Sequence, residues 1–219
     1  MKTHNLLLPF AAVILCLAMH LPHAFCLPEV IVAEGVSDAT VQSFWDCYNA
    51  WPEQVRTMLD TVPVSVYIHP DASQTGAEYA GLTYTYDDHY DIYLNASNPN
   101  WVAWSAGHEM GHVIDNQLGR IYQDGWWFEP HTEVSVLKSY GPDFLALYEA
   151  NKSASWMWDY MKTAPEECFA HLCKLYMETP NELKQDSPVL YTYMDNLFTI
   201  LAQAQRNGAD VYSSVPFLL

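Results

Sequence analysis

The order of apolar and polar residues divides most of the chain into stretches of helical and of strand period. Val41, Phe44, Trp45 and Tyr48 recur at helical spacing within residues 37–60, with Ser37 suited to cap that helix. Trp51-Pro52 marks a break, and Pro52 suits the start of a second helix. Val64-Ser65-Val66-Tyr67-Ile68 alternates and predicts a strand ended by Pro70. Residues 82–86 and 92–94 predict two more strands, joined through Asp87-Asp88-His89 as a hairpin. The period then returns to helical: Asn98-Pro99-Asn100 offers a start, Trp101, Val102, Trp104, Met110, Val113 and Ile114 the apolar positions, and Gly119 a C-terminal cap. Residues 122–130 read as a loop rich in aromatic side chains, including Trp126, Trp127 and Phe128. Thr163-Ala164-Pro165-Glu166 has capping-box spacing, Thr179-Pro180-Asn181-Glu182 repeats it, and Ser187-Pro188 opens a last helix toward Asn207-Gly208. A small sheet followed by helices predicts an α+β domain, with no internal repeat or linker.

The N-terminus changes where the domain begins. Lys2 and His4 precede an apolar run from Leu6 to Met19 broken by Pro9, and Ala24 and Cys26 place small residues for cleavage before Leu27. Residues 1–26 are thus expected to be a signal peptide and 27–219 a single secreted, extracellular domain. The run is shorter than the roughly 20 residues a membrane span needs, and no second membrane-length run follows, so no membrane partner is expected. Cys47, Cys168 and Cys173 remain in the mature chain. Cys168 and Cys173 are five apart on a predicted helix and project apart, so one of them is expected to bond Cys47 in an oxidising compartment. Asn95-Ala96-Ser97 and Asn151-Lys152-Ser153 are glycosylation sequons, and in a eukaryotic source they would predict a glycoprotein. The formal net charge of -17 argues against a nucleic-acid partner, whose phosphates it would repel, and mildly favours a basic or neutral substrate. A monomer is expected.

Residues 108–112, His108-Glu109-Met110-Gly111-His112, carry the chemistry. A chain with this His and Glu content yields about 0.02 such His-Glu-x-x-His pentads by chance. On a helix His108 and His112 lie one turn apart on one face and can share one metal ion. Glu109, rotated by about 100°, reaches a water beside that ion. This is the pattern of a zinc hydrolase in which the carboxylate is general base. The site needs a third ligand. Asp115 and Leu118 stand where one class of zinc protease would carry Gly and His, which excludes that class. Glu129, His131 and Glu133 are in range for a second class, though none has its usual surroundings, and Glu167 opens the predicted helix at 165. His89 and His131 read as ordinary polar residues rather than ligands.

The run from Asp159 to Tyr176 resembles part of the catalytic domain of anthrax lethal factor and of the secreted Pro-Pro endopeptidases. That family has a His-Glu-x-Gly-His-x-x-Asp motif, matched by His108, Glu109, Gly111, His112 and Asp115. Its second motif, Glu-x-Phe-Ala-Glu, is matched by Glu167, Phe169 and Ala170, with His171 in place of the last Glu. A Tyr seven residues before the first Glu is matched by Tyr160. The resemblance implies a zincin-like metallopeptidase domain: a small sheet whose edge strand, at 82–86 or 92–94, receives the substrate, and a mostly helical C-terminal part carrying the third ligand. It implies Zn2+ held by His108, His112 and Glu167, Glu109 as base, and Tyr160 as oxyanion donor. Beside the ligands, Asp115 reads either as an ordinary surface acid or as the acceptor for an imidazole N–H, and His171, one turn from Glu167, as a residue that touches the site or competes as a ligand. The function expected is a secreted zinc endopeptidase acting on a peptide or protein, with proline-directed cleavage open. The alternative is a secreted zinc-binding protein without catalysis, using the aromatic run as a contact surface. An intact Glu109 favours the enzyme.

Overall fold

The structure, a computed structural model, describes residues 27–60, 62–70, 79–86, 88–123 and 137–206. Strand β1 spans Glu29–Val32 and is followed by helix α1, Asp38–Ala50. The Ser37 side chain accepts the Thr40 N–H and caps α1 as expected. Trp51 and Pro52 break the chain before α2, Glu53–Leu59. Strands β2, β3 and β4 are Val64–His69, Gly81–Thr85 and Tyr90–Asn95. Helix α3, Pro99–Gln123, carries the pentad. The C-terminal part comprises α4 (Pro142–Asn151), α5 (Pro165–Glu178), α6 (Pro180–Asp186) and α7 (Pro188–Arg206), with short 3-10 turns at Lys138–Tyr140 and Tyr160–Lys162. No helix of the described residues is long and apolar enough to cross a membrane.

The four-stranded sheet has the order β1-β2-β4-β3. β1, β2 and β4 are parallel, and β3 joins β4 antiparallel as the predicted hairpin, Thr83 opposite Ile92. Alternation works here as period 2 requires: Val64, Val66 and Ile68 of β2 and Tyr90, Ile92 and Leu94 of β4 are buried. Helix α3 packs over β3 and β4 on one side and against α5 on the other. Its buried Val102, Ala106, Met110, Val113, Ile114 and Leu118 make it the central element of the core. The whole is a mixed α/β domain with a small sheet and a helical C-terminal part.

Several expectations need correcting. Gly119 does not end α3, which continues to Gln123. Gly119 is buried, and one interior glycine costs about 1 kcal/mol, less than the packing a buried helix gains. The capping box at Thr163 does not form. Ala164 is the N-cap of α5, and the Thr163 hydroxyl instead donates to the Tyr160 carbonyl at 2.6 Å. Thr179 is the N-cap of α6 without a side-chain cap bond. Cys47, Cys168 and Cys173 are free, so the expected disulfide is absent. Cys168 and Cys173 are buried within α5, and burial pushes the Cys168 thiol up to about 12 and Cys47 up to about 11. Asn95 is 0% exposed, its amide donating to the Tyr79 carbonyl and its oxygen accepting the Ser97 N–H. That sequon is closed in the folded chain. The aromatic run Trp126-Trp127-Phe128, and Glu129, His131 and Glu133, lie outside the described residues.

The contact that sets α3 against α5 is backbone on backbone. A Cβ at Gly111 would lie 2.6 Å from the Ala170 carbonyl oxygen and 2.7 Å from its Cα. Main chain cannot swing aside as a side chain can, so any larger residue at 111 separates the two helices. Gly111→Ala is expected to destabilise the fold by about 1–3 kcal/mol, as overpacking does, and to lower metal retention by moving both histidines from α5. Thermal melting and metal content after dialysis read the two effects.

Candidate active site

Two elements deliver the three donors. On α3, His108 and His112 stand one turn apart, their rings edge to face with centroids 4.8 Å apart. On α5, Glu167 sits in the first turn, which Pro165 opens. There the N-terminal helix dipole favours a carboxylate. The Nε2 atoms of His108 and His112 are 3.2 Å apart. Glu167 Oε2 lies 3.1 Å from the first and 3.5 Å from the second. A tetrahedral ion with bonds of about 2.0–2.1 Å sets its donors roughly 3.3–3.4 Å apart. The cluster thus has the spacing and donor set to hold one metal ion, and it is the single such group found among the described residues.

The charges explain why these groups stay together. Burial alone would raise the Glu167 pKa, but hydrogen bonds and charge from His108 and His112 hold it well below the carboxylate range. Burial opposes a charged His112, yet Glu167, Glu109 and Asp115 raise its pKa above the ordinary histidine value. Tyr160, in the turn before α5, has its ring 5.8 Å from that of His108. Burial, then the charge and hydrogen bond of Glu167, then Glu109, push the phenol up, so it keeps its proton and remains a donor.

Glu109 packs against β3 and shares a cleft with His112. It is buried, and its Oε2 accepts the Thr83 hydroxyl at 2.7 Å. The surrounding cleft, about 490 Å³, is lined by β3 residues together with Tyr79, Glu109, His112, Tyr160, Thr163 and Glu167. A groove of about 540 Å³ beyond α3, lined by Cys47, Trp51, Trp104 and Lys174, contains none of the three donors. His171 is buried on α5 with its ring 5.8 Å from His108 but outside the donor cluster. Burial, with the neighbouring His108 and Lys174, lowers its pKa to about 4, leaving it neutral at pH 7. Asp115 is fully buried, and its Oδ1 accepts the Ser139 N–H at 2.7 Å, so it ties the turn at 138–140 to α3. Its Oδ2 has no hydrogen-bond partner among the described residues. Burial pushes Asp115 up to about 7. The sequence reading missed Thr83. Its parity with Ile92 across the hairpin, which turns both toward α3, was the available signal.

Residues 93–199 match the family described as glucose-regulated metallo-peptidase M90. The matched stretch runs from β4 into α7 and contains Glu109, Tyr160 and all three donors. The family match agrees with the metallopeptidase resemblance of the motifs. Among solved structures, the Pro-Pro endopeptidase of Paenibacillus alvei is similar over 77% of this chain and 96% of its own, at 16% identity and a TM-score of 0.53. At that identity the likeness concerns the fold. No curated protein matches in sequence. The family match supports a metal-dependent hydrolase that acts on peptides or proteins.

The geometry separates donors from neighbours. Glu167→Ala is expected to abolish metal retention after dialysis against a weak chelator, because two imidazoles remain. His171→Ala is expected to retain the metal, since its ring stands outside the donor cluster.

Proposed function

We propose that this chain is a secreted zinc endopeptidase in which His108, His112 and Glu167 hold the metal and Glu109 is the general base. The observation that carries the reading is the juxtaposition of three donors 3.1–3.5 Å apart with a separate buried carboxylate along one cleft. When bound, zinc supplies Lewis-acid activation of water and of the scissile carbonyl. The chain's own residues do the rest. Glu109 takes the proton of the attacking water and delivers it to the leaving amine. The Tyr160 phenol donates a hydrogen bond to the oxyanion of the tetrahedral state.

Strand β3 supports the place of the substrate. It is a sheet edge, whereas β4 is paired on both sides. Ala80 and Tyr86 bond to the β4 side, Asn95 N–H to Ala80 O and Tyr86 N–H to His89 O. Antiparallel ladders alternate, so Gly81, Thr83 and Thr85 turn their main-chain groups to the open edge. An extended peptide adds there as a further strand beside Glu109. Selection of side chains then falls to pockets beside the metal. Trp158, 47% exposed with its ring 5.3 Å from that of Tyr160, offers a flat wall suited to a proline ring. The likeness to a Pro-Pro endopeptidase supports proline on at least one side of the scissile bond. Secretion rests on the N-terminal pattern of residues 1–26.

Glu109→Ala is expected to retain zinc and the fold while losing nearly all peptide hydrolysis. Near-normal turnover by the purified variant would remove Glu109 from the role. Tyr160→Phe should lower kcat by roughly one to three orders of magnitude with little change in KM. A peptide library with each residue type fixed on either side of the bond, read by mass, should show proline preferred and the preference weakened in Trp158→Ala. Equal cleavage of proline-free peptides, unchanged in that variant, would dispose of the proline reading.

A further inference from the structure

We propose that Thr83 is the positioning residue for the general base: its hydroxyl fixes the Glu109 carboxylate against the strand that receives the substrate. The inference rests on the reading of Glu109 as the base of a metallopeptidase. Glu109 is 5% exposed and belongs to the helix that carries two of the three donors, His108 and His112. A long side chain in that place needs an anchor to present one carboxylate oxygen to the water. Thr83 supplies it. Oγ1 donates its one proton to Glu109 Oε2 at 2.7 Å, and the Glu109 main-chain oxygen, 3.2 Å away, takes at most a weaker share of it. A hydrogen bond to an ionised acceptor is about twice as strong as a neutral one.

Gly81 completes the seat from the same strand. A Cβ there would stand 2.6 Å from Glu109 Oε1 and 2.7 Å from its Cγ. The carboxylate therefore rests where a side chain at 81 would be, and two residues further along the strand a hydroxyl holds its other oxygen. Gly81 and Thr83 are also residues whose main chain faces the open edge. One short strand thereby sets both the line of the peptide and the direction of the base. A register slip of one residue in β3 would turn Thr83 away from α3 and undo both.

Thr83→Val keeps the shape and β-branching of the residue and removes the donor. With the metal-loaded full chain and a peptide the wild type cleaves, kcat is expected to fall about tenfold to a hundredfold, the scale of a misaligned catalytic group. KM should stay within about twofold, because the main-chain edge is intact. Metal content and melting should match wild type, and Thr83→Ser should recover most of the rate. In a Glu109→Gln background, Thr83→Val should cause no further loss. Wild-type kcat in Thr83→Val overturns the proposal while leaving the peptidase reading in place. Loss of metal or of the folded transition in Thr83→Val overturns it too, since the residue would then hold the strand rather than the base. A wild-type chain that is metal-loaded yet cleaves no peptide overturns both readings.

Discussion

The approach of α3 to α5 at Gly111 and Ala170 is the contact on which the rest depends. Helices ordinarily pack 8–10 Å apart through interdigitated side chains. Here the missing side chain at 111 lets main chain meet main chain. Only at that separation can the short His108 and His112 side chains reach a carboxylate that starts from the first turn of α5. The sheet contributes the opposite wall. Its edge strand packs on α3, so one helix carries two of the three donors and the carboxylate that Thr83 holds.

The site gathers buried and half-buried charged groups, and the arrangement shows how each is compensated. Glu167 is held between two imidazoles, Glu109 by a hydroxyl, and Lys138 by the Asp143 carboxylate, with both oxygens within 2.6 Å. Asp115 is the exception, with one oxygen satisfied by Ser139 and burial against its charge. Its bond to the Ser139 N–H pins the chain where it returns to the helix pair. The three free thiols follow the same logic of burial. Their pKa values are raised, so little thiolate exists at neutral pH to attack a disulfide or an oxidant.

Much of this was legible in the sequence, and the reasons are specific. The pentad could be read because a helix turns two histidines four residues apart onto one face. The hairpin could be read because Leu82 to Tyr86 and Ile92 to Leu94 flank the polar Asp87-Asp88-His89, although the second strand starts two residues earlier, at Tyr90. Glu167 needed the family resemblance, since a first-turn glutamate is common for electrostatic reasons alone. β1 was not read: its four residues are largely exposed and carry no alternation of burial. Gly119 misled because a glycine's local preference lost to the tertiary packing of a central helix. Thr163 misled because its hydroxyl found a nearer acceptor in the turn that carries Tyr160. Hairpin parity with Ile92 gives only the face of Thr83; its contact with Glu109 depends on which helix turn lies beneath the strand, a long-range fact.

The closed side chain at Asn95 has a consequence for biosynthesis. Its nitrogen is the atom an oligosaccharide would occupy, and in the native sheet that nitrogen donates to Tyr79 at the end of β4, with no surface left to water. Sugar attachment at 95 and completion of the sheet are therefore mutually exclusive outcomes. In a secretory lumen that reads the Asn-x-Ser signal, the fate of each nascent molecule would be decided by a race. A chain that pairs β4 with its neighbours first conceals the acceptor, and one that is modified first forfeits the strand that abuts the metal helix.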